Sequence, residues 1–174
     1  AEILSINRNE QKSIEFCEDI KAQYGTKCTY WIADLSSLSE VHALGEKLAA
    51  MDTNIDVLIH NAGVYNTTKT ITADNLEAVF QTNYLSTFIL NHYLKEKFIK
   101  QNSGRILFVN SEGHRFAAWG LHLDDLAWEN HAYSGLKSYG AAKLAQLLSM
   151  IKFNDYFADT GVTINAMHPG NVKT

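Results

Sequence analysis

Five short runs of β-forming or apolar residues alternate along this chain with stretches whose apolar residues recur at helical spacing. Ile3-Leu4-Ser5-Ile6 is the first run, and Ile14, Cys17, Ile20 and Tyr24 follow it three and four residues apart. Cys28 to Ala33 reads as a strand rich in β-formers, followed by Val41, Leu44, Leu48 and Met51 on an amphipathic helix. Ile55 to Ile59 reads as a buried strand, and a long helical region is expected from about Ala73 to Lys100, broken near Thr82. Arg105 to Asn110 contains Ile106-Leu107-Phe108-Val109, the continuous apolar run of a strand covered on both faces. Leu144, Leu147, Leu148 and Ile151 give i, i+3, i+4, i+7 spacing on a further helix, and Val162 to Met167 is the last strand. Repeated strand–helix units argue an α/β fold: a doubly wound parallel sheet in three layers, Rossmann-like. At 174 residues the chain reads as one domain, 1–174, and 46% hydrophobic residues suffice for a sizeable core.

Residues able to do chemistry follow the strands in a definite order. Asp34 follows the second run, Asn61-Ala62-Gly63 the third and Ser111 the fourth. Asn83 lies in the long helical region, and His168-Pro169-Gly170-Asn171-Val172-Lys173-Thr174 comes last. Tyr139 and Lys143 are four apart, so they share one face of a helix and point into one cleft. Free tyrosine titrates at about 10, and a neighbouring cation favours the tyrosinate. With a serine hydroxyl to hold a substrate oxygen, the set is an acid/base device for interconverting an alcohol and a carbonyl.

In this order and spacing the chain resembles the short-chain dehydrogenase/reductase family over essentially all 174 residues. Asn7-Arg8-Asn9 after the first strand and His168-Pro169-Gly170 near the end are similar to the retinol-dehydrogenase-like branch. The resemblance implies a hydride-transferring oxidoreductase acting on an alcohol or carbonyl compound. In it Tyr139 is the general acid/base, Lys143 supports it and binds the nicotinamide ribose, and Ser111 orients the substrate oxygen. Asn83 belongs to a proton relay. Asn61, Ala62 and Gly63 shape the cofactor side, Asp34 accepts from the adenine amino group, and Pro169, Gly170 and Thr174 cover the nicotinamide. Asp34 also suits a helix N-cap. Glu112-Gly113-His114 departs from the family's common second serine, and His60 stands where many relatives have asparagine. His60 reads as structural.

Arg8 stands where an acidic residue in the family would bind the ribose hydroxyls of NAD(H). An arginine there suits the 2′-phosphate, so NADP(H) is favoured over NAD(H). Phe116, Trp119, Leu121, Leu126, Trp128 and Tyr133 crowd the loop between Ser111 and Tyr139, which suits an apolar carbonyl substrate or simple loop packing. The family's glycine-rich first strand, turn and helix are not found in the sequence. Nor is its last, substrate-covering segment. The resemblance implies a domain incomplete at both ends. In the strand order 3-2-1-4-5-6, losing the first strand divides the sheet into two pieces with exposed edges.

A net charge of −4 speaks against a nucleic-acid partner. No stretch reads as a transmembrane helix or signal peptide. Two cysteines without a CxxC pattern read as reduced packing residues, and a cytoplasmic location is expected. The seven histidines show no metal-ligand spacing, so no metal is expected. A homo-oligomer is compatible with all of this. Two other functions share the same fold: a non-catalytic NADP-binding regulatory protein, and a sugar-nucleotide epimerase or dehydratase.

Overall fold

A computed structural model describes residues 1–117 and 121–170. β1 (Glu2–Asn7) runs parallel to β2 (Lys27–Ile32), with α1 (Glu10–Tyr24) as the crossover. α2 (Leu38–Ala49) leads to β3 (Val57–His60). α3 (Ala78–Phe80) passes through a π-helical turn (Gln81–Leu85) into α4 (Ser86–Gln101), which returns the chain to β4 (Gly104–Val109). A 3₁₀ turn (Glu112–Ala117), a loop and α5 (Gly135–Tyr156) precede β5 (Val162–Met167). Every strand pairing is parallel and every crossover carries a helix, which is the α/β architecture expected.

The described residues form two sheets, β1–β2 and β3–β4–β5. This is the division expected for the order 3-2-1-4-5-6 without its central strand. On β3, Val57 and Ile59 are 54% and 55% exposed. β4 sits in the middle of the larger sheet, with Ile106 opposite Leu58 on one side and Ile164 on the other. Both sheets feed one apolar core. Val41, Leu44 and Leu48 of α2 meet Leu90, Leu94 and Phe98 of α4, and Ile106, Phe108, Phe153 and Ile164 complete it. Leu4, Ile6 and Trp31 pack against this cluster from the smaller sheet.

Three details differ from the sequence reading. The helix expected from Ala73 begins only at Ala78. Asn75 adopts φ +60°, which no right-handed helix accommodates, and Ile71 bridges Glu77 in antiparallel fashion. The break expected near Thr82 is the π-helical turn itself. Next, the Leu144/Leu147/Leu148/Ile151 stripe is not the buried face of α5. Leu148 and Ile151 are exposed, while Ala142, Ala145, Gln146, Ser149 and Phe153 face inward. Ala142 and Ala145 pack on Val79 and Phe80 of α3, and Phe153 joins the main core. Finally, only Ser13 of α1 is buried. Its apolar residues cover one edge of a two-stranded sheet rather than a shared core.

No helix among the described residues is long and apolar enough to cross a membrane. Cys17 and Cys28 are free thiols.

Phe98 is fully buried and meets Phe157 edge-on at 6.3 Å between ring centroids. Phe98→Ala in the complete protein should lower the unfolding free energy by about 3–5 kcal/mol, the usual range for a buried aromatic. Urea unfolding monitored by circular dichroism measures it. A loss under 1 kcal/mol would mean that the core does not depend on α4.

Candidate active site

All the chemistry-bearing residues expected from the sequence, where described, follow strand ends or line helices beside them. Parallel strands send their carboxyl ends to one edge of the sheet, and loops gather there. Ser111 follows β4, Asn61-Ala62-Gly63 follows β3, and Pro169-Gly170 follows β5. Tyr139 and Lys143 lie one turn apart on α5, and Asn83 sits inside the π-helical turn.

Lys143 is buried, 3% exposed. Its Nζ donates to the Val109 carbonyl at 2.8 Å, at the last residue of β4. Burial pulls its pKa down to about 8. The same Nζ lies 5.6 Å from the centroid of the Tyr139 ring. Tyr139 is half-buried, and Tyr65 packs edge-on against it. Ser111 is brought beside the ring by a glycine. The Gly113 N–H donates to Ser111 Oγ at 3.0 Å. A Cβ at position 113 would fall 2.9 Å from Tyr139 Cε1 and 3.2 Å from Ser111 Oγ, so a side chain there would collide with both. One turn further, a Cβ on Gly140 would fall 2.7 Å from the Gly113 carbonyl. The glycine pair lets the 3₁₀ turn sit against α5.

Asn83 is fully buried and uses both ends of its amide on one residue. Oδ1 accepts from the Val64 N–H at 2.7 Å, and Nδ2 donates to the Val64 carbonyl at 2.9 Å. It therefore pins the chain just after Asn61-Ala62-Gly63. A Cβ on Gly63 would lie 3.5 Å from Asn83 Oδ1 and 3.9 Å from Lys143 Nζ. Gly63 thus lies close to both the Asn83 amide and the Lys143 ammonium.

Two residues that the sequence reading passed over join the set. Gln146 donates from Nε2 to the Asn83 carbonyl at 2.6 Å. Asn110 donates from Nδ2 to Gln146 Oε1 at 3.1 Å and to the Lys143 carbonyl at 2.9 Å, and its Oδ1 accepts from the Ser111 N–H at 2.8 Å. These two amides bind together the backbones of Asn83, Lys143 and Ser111.

Arg8 is exposed just after β1. Asp34 follows β2 and forms a tight turn, its Oδ1 accepting from Ser36 N–H and Ser36 Oγ at 2.8 and 2.7 Å. These bonds, helped by the charge of Arg8, hold the Asp34 carboxyl below its usual range. The N-cap of α2 is Ser37, so Asp34 does not serve as the cap. His60 is buried, stacked on Phe108, with Nε2 2.9 Å from Asn91 Oδ1. Burial lowers its pKa to about 4, so it is a neutral packing residue, as the sequence suggested. Pro169 and Gly170 are exposed after β5. Thr174 lies outside the described residues, as do Ala118, Trp119 and Gly120 of the aromatic loop.

The family model for short chain dehydrogenases matches residues 1–120. Human retinol dehydrogenase 13 is 33% identical over 141 residues, which is 81% of this chain and 42% of that protein. The WW domain-containing oxidoreductase of Drosophila melanogaster is 34% identical over 152 residues, 84% of this chain and 36% of that protein. The chain thus spans about two fifths of the length of these relatives. A metagenomic short-chain oxidoreductase solved in complex with NADP superposes with a TM-score of 0.74 at 21% identity, covering 98% of this chain and 72% of that one. A gluconate 5-dehydrogenase from Burkholderia cenocepacia, in complex with NADP and tartrate, superposes with a TM-score of 0.74 at 20% identity over 100% of this chain and 63% of that one. At such identities these two show the fold alone.

The lowered pKa of Lys143 has a measurable signature. In lysine-labelled protein, one side-chain resonance should titrate near pH 8 and be missing in Lys143→Met. Between pH 8 and about 10.4, the ordinary lysine value, the unfolded chain holds a proton that the folded chain has released. Stability relative to Lys143→Met should therefore rise with pH across that window. Titration of Lys143 above pH 10 would contradict its burial.

Proposed function

The chain belongs to the short-chain dehydrogenase family, and on that premise we propose that it is an oxidoreductase passing hydride between NADP(H) and an alcohol or its carbonyl counterpart. One observation carries this reading. Ser111 Oγ and the Tyr139 ring flank Gly113, and Lys143 Nζ lies near the same ring and beside Gly63. Acid, cation and oxygen-holder therefore converge at the carboxyl edge of a parallel sheet, where such folds take ligands.

The residues present fit the two ends of a dinucleotide, its nicotinamide riboside and its adenosine 2′-phosphate. The Lys143 ammonium, beside Gly63, suits a ribose hydroxyl. The exposed Arg8 suits a 2′-phosphate, which it would hold by charge-assisted hydrogen bonds. Asp34 suits the adenine amino group, and Pro169, Gly170 and Thr174 the nicotinamide. When bound, the nicotinamide supplies or accepts the hydride. In reduction, Ser111 holds the carbonyl oxygen and the Tyr139 phenol donates a proton to it; in oxidation the proton returns to Tyr139. Lys143 keeps a positive charge beside the phenol. The Asn83 carbonyl accepts from Gln146, which fixes the backbone where a relay water would be held. Phe116, Leu121 and Leu126 near the site suit an apolar substrate.

Tyr139→Phe in the complete protein keeps the ring and removes the proton donor. Turnover of carbonyl compounds with NADPH should fall at least ~100-fold, the range of general acid/base groups, with NADPH affinity little changed. Turnover within a factor of two of the parent would remove Tyr139 from the mechanism.

Arg8→Asp replaces a phosphate partner with a phosphate repeller. It should weaken NADPH binding more than NADH binding, as read by fluorescence titration of both cofactors into both proteins. Equal losses would show that Arg8 does not read the 2′-phosphate.

A further inference from the structure

Glu77 is the most completely engaged buried charge among the described residues, and the mechanism above does not use it. It is 1% exposed. Four donors from three segments converge on its carboxylate. Oε1 accepts from the Val79 N–H at 3.1 Å and from Tyr133 Oη at 3.1 Å. Oε2 accepts from the Phe80 N–H at 2.8 Å and from Ser138 Oγ at 2.8 Å. Both backbone donors belong to α3, which leads into the π-helical turn holding Asn83. Ser138 immediately precedes Tyr139. Tyr133 stands near the end of the loop whose Leu121 and Leu126 pack on the same small cluster as Tyr139.

That loop is a unit with its own internal ties. Asp125 accepts from the Glu129 and Asn130 N–H groups and meets His131 Nδ1 at 2.7 Å. His131 stacks on His122 at 4.4 Å between centroids. Leu121 and Leu126 pack on the small cluster of Val79, Phe80, Ala142 and Ala145, against which Tyr139 also packs. The loop thus carries its own shape but needs anchors to fix its position. Among its tethers are Lys69 Nζ to the Trp128 carbonyl at 2.8 Å and Tyr133 Oη to Glu77. Burial, and then the Glu77 charge, raise the Tyr133 pKa to about 12, so the phenol remains a donor at working pH.

We propose that Glu77 is a positioning residue with two separable duties: through Ser138 it sets Tyr139 against the helix that carries Asn83, and through Tyr133 it anchors the loop 121–134 over the substrate. A carboxylate can accept from all four, and the Val79 and Phe80 N–H groups can only donate. The reading rests on the hydride-transfer function proposed above, and the two duties predict different kinetic losses.

Tyr133→Phe, Ser138→Ala and Glu77→Gln, made in the complete protein, separate the duties. Each is followed by steady-state kinetics with NADPH and an aromatic ketone, by thermal unfolding, and by hydrogen exchange of the loop. Tyr133→Phe should raise the ketone KM about tenfold, the scale of one hydrogen bond to a charged group. Its kcat should stay within twofold, with faster exchange across 121–134. Ser138→Ala should lower kcat about tenfold with KM and loop exchange near the parent's. Glu77→Gln should show both losses. A common fall in kcat, KM quality and Tm in all three variants would reduce Glu77 to a packing role and overturn the proposal. Unchanged kinetics in Tyr133→Phe and Ser138→Ala would overturn it too. If the parent turns over no carbonyl compound, the proposed function fails, and loop exchange still decides the anchor: unaltered exchange in Tyr133→Phe overturns it.

Discussion

The site depends on how closely α5 lies against the end of β4. Gly140 meets Gly113 of the turn after that strand, and Lys143 reaches the Val109 carbonyl, while Ala142 and Ala145 pack on Val79 and Phe80. This close approach does three things at once. It buries the ammonium, sets the phenol ring against Ser111, and lets the Asn110 amide reach the Lys143 carbonyl. Interiors are packed like organic crystals, so even one added methyl at either glycine would be felt at the reacting atoms.

Around that contact the polar groups are held by their own bonds. Burying an amide without partners costs about 1–3 kcal/mol, and several such losses would exceed what a domain of ordinary stability tolerates. Asn83, Asn110 and Gln146 avoid this by bonding to each other and to backbone, and Glu77 does so by gathering four donors. The exception among the described residues is Asn91, whose Nδ2 is buried without a partner while its Oδ1 faces His60. Satisfied networks of this kind hold one geometry. The π-helical turn contributes to the same end, because its altered backbone pattern turns the Asn83 carbonyl toward Gln146.

Charge follows burial along the same edge. Lys143, inside, loses much of its hold on its proton. Arg8, outside, keeps an exposed guanidinium near a carboxyl whose own turn already favours ionisation. A buried cation beside a phenol and an exposed cation at a strand end suit different tasks: the first bears on proton transfer, the second on an anionic group arriving from solvent.

The alternation of apolar runs with helical spacing was enough to determine an α/β fold with parallel strands, because period two and period 3.6 are local properties of a sequence. The order of Asp34, Asn61-Ala62-Gly63, Asn83, Ser111, Tyr139 and Lys143 was equally legible, since each is tied to a strand end or a helix turn that local pattern reveals. Which face of α5 turns inward was not. Its leucine stripe is the more hydrophobic face, yet the face carrying Gly140, Ala142, Ala145 and Phe153 is buried, because the 3₁₀ turn, α3 and the main core pack on it. The start of α3 was likewise set by Asn75 at positive φ and by a bridge across Ile71 and Glu77. Glu77, Asn110 and Gln146 have no signature of their own in the sequence: a glutamate, an asparagine and a glutamine on helices or after strands are ordinary. Their importance comes from partners tens of residues away, and only the tertiary structure brings those partners within hydrogen-bonding distance.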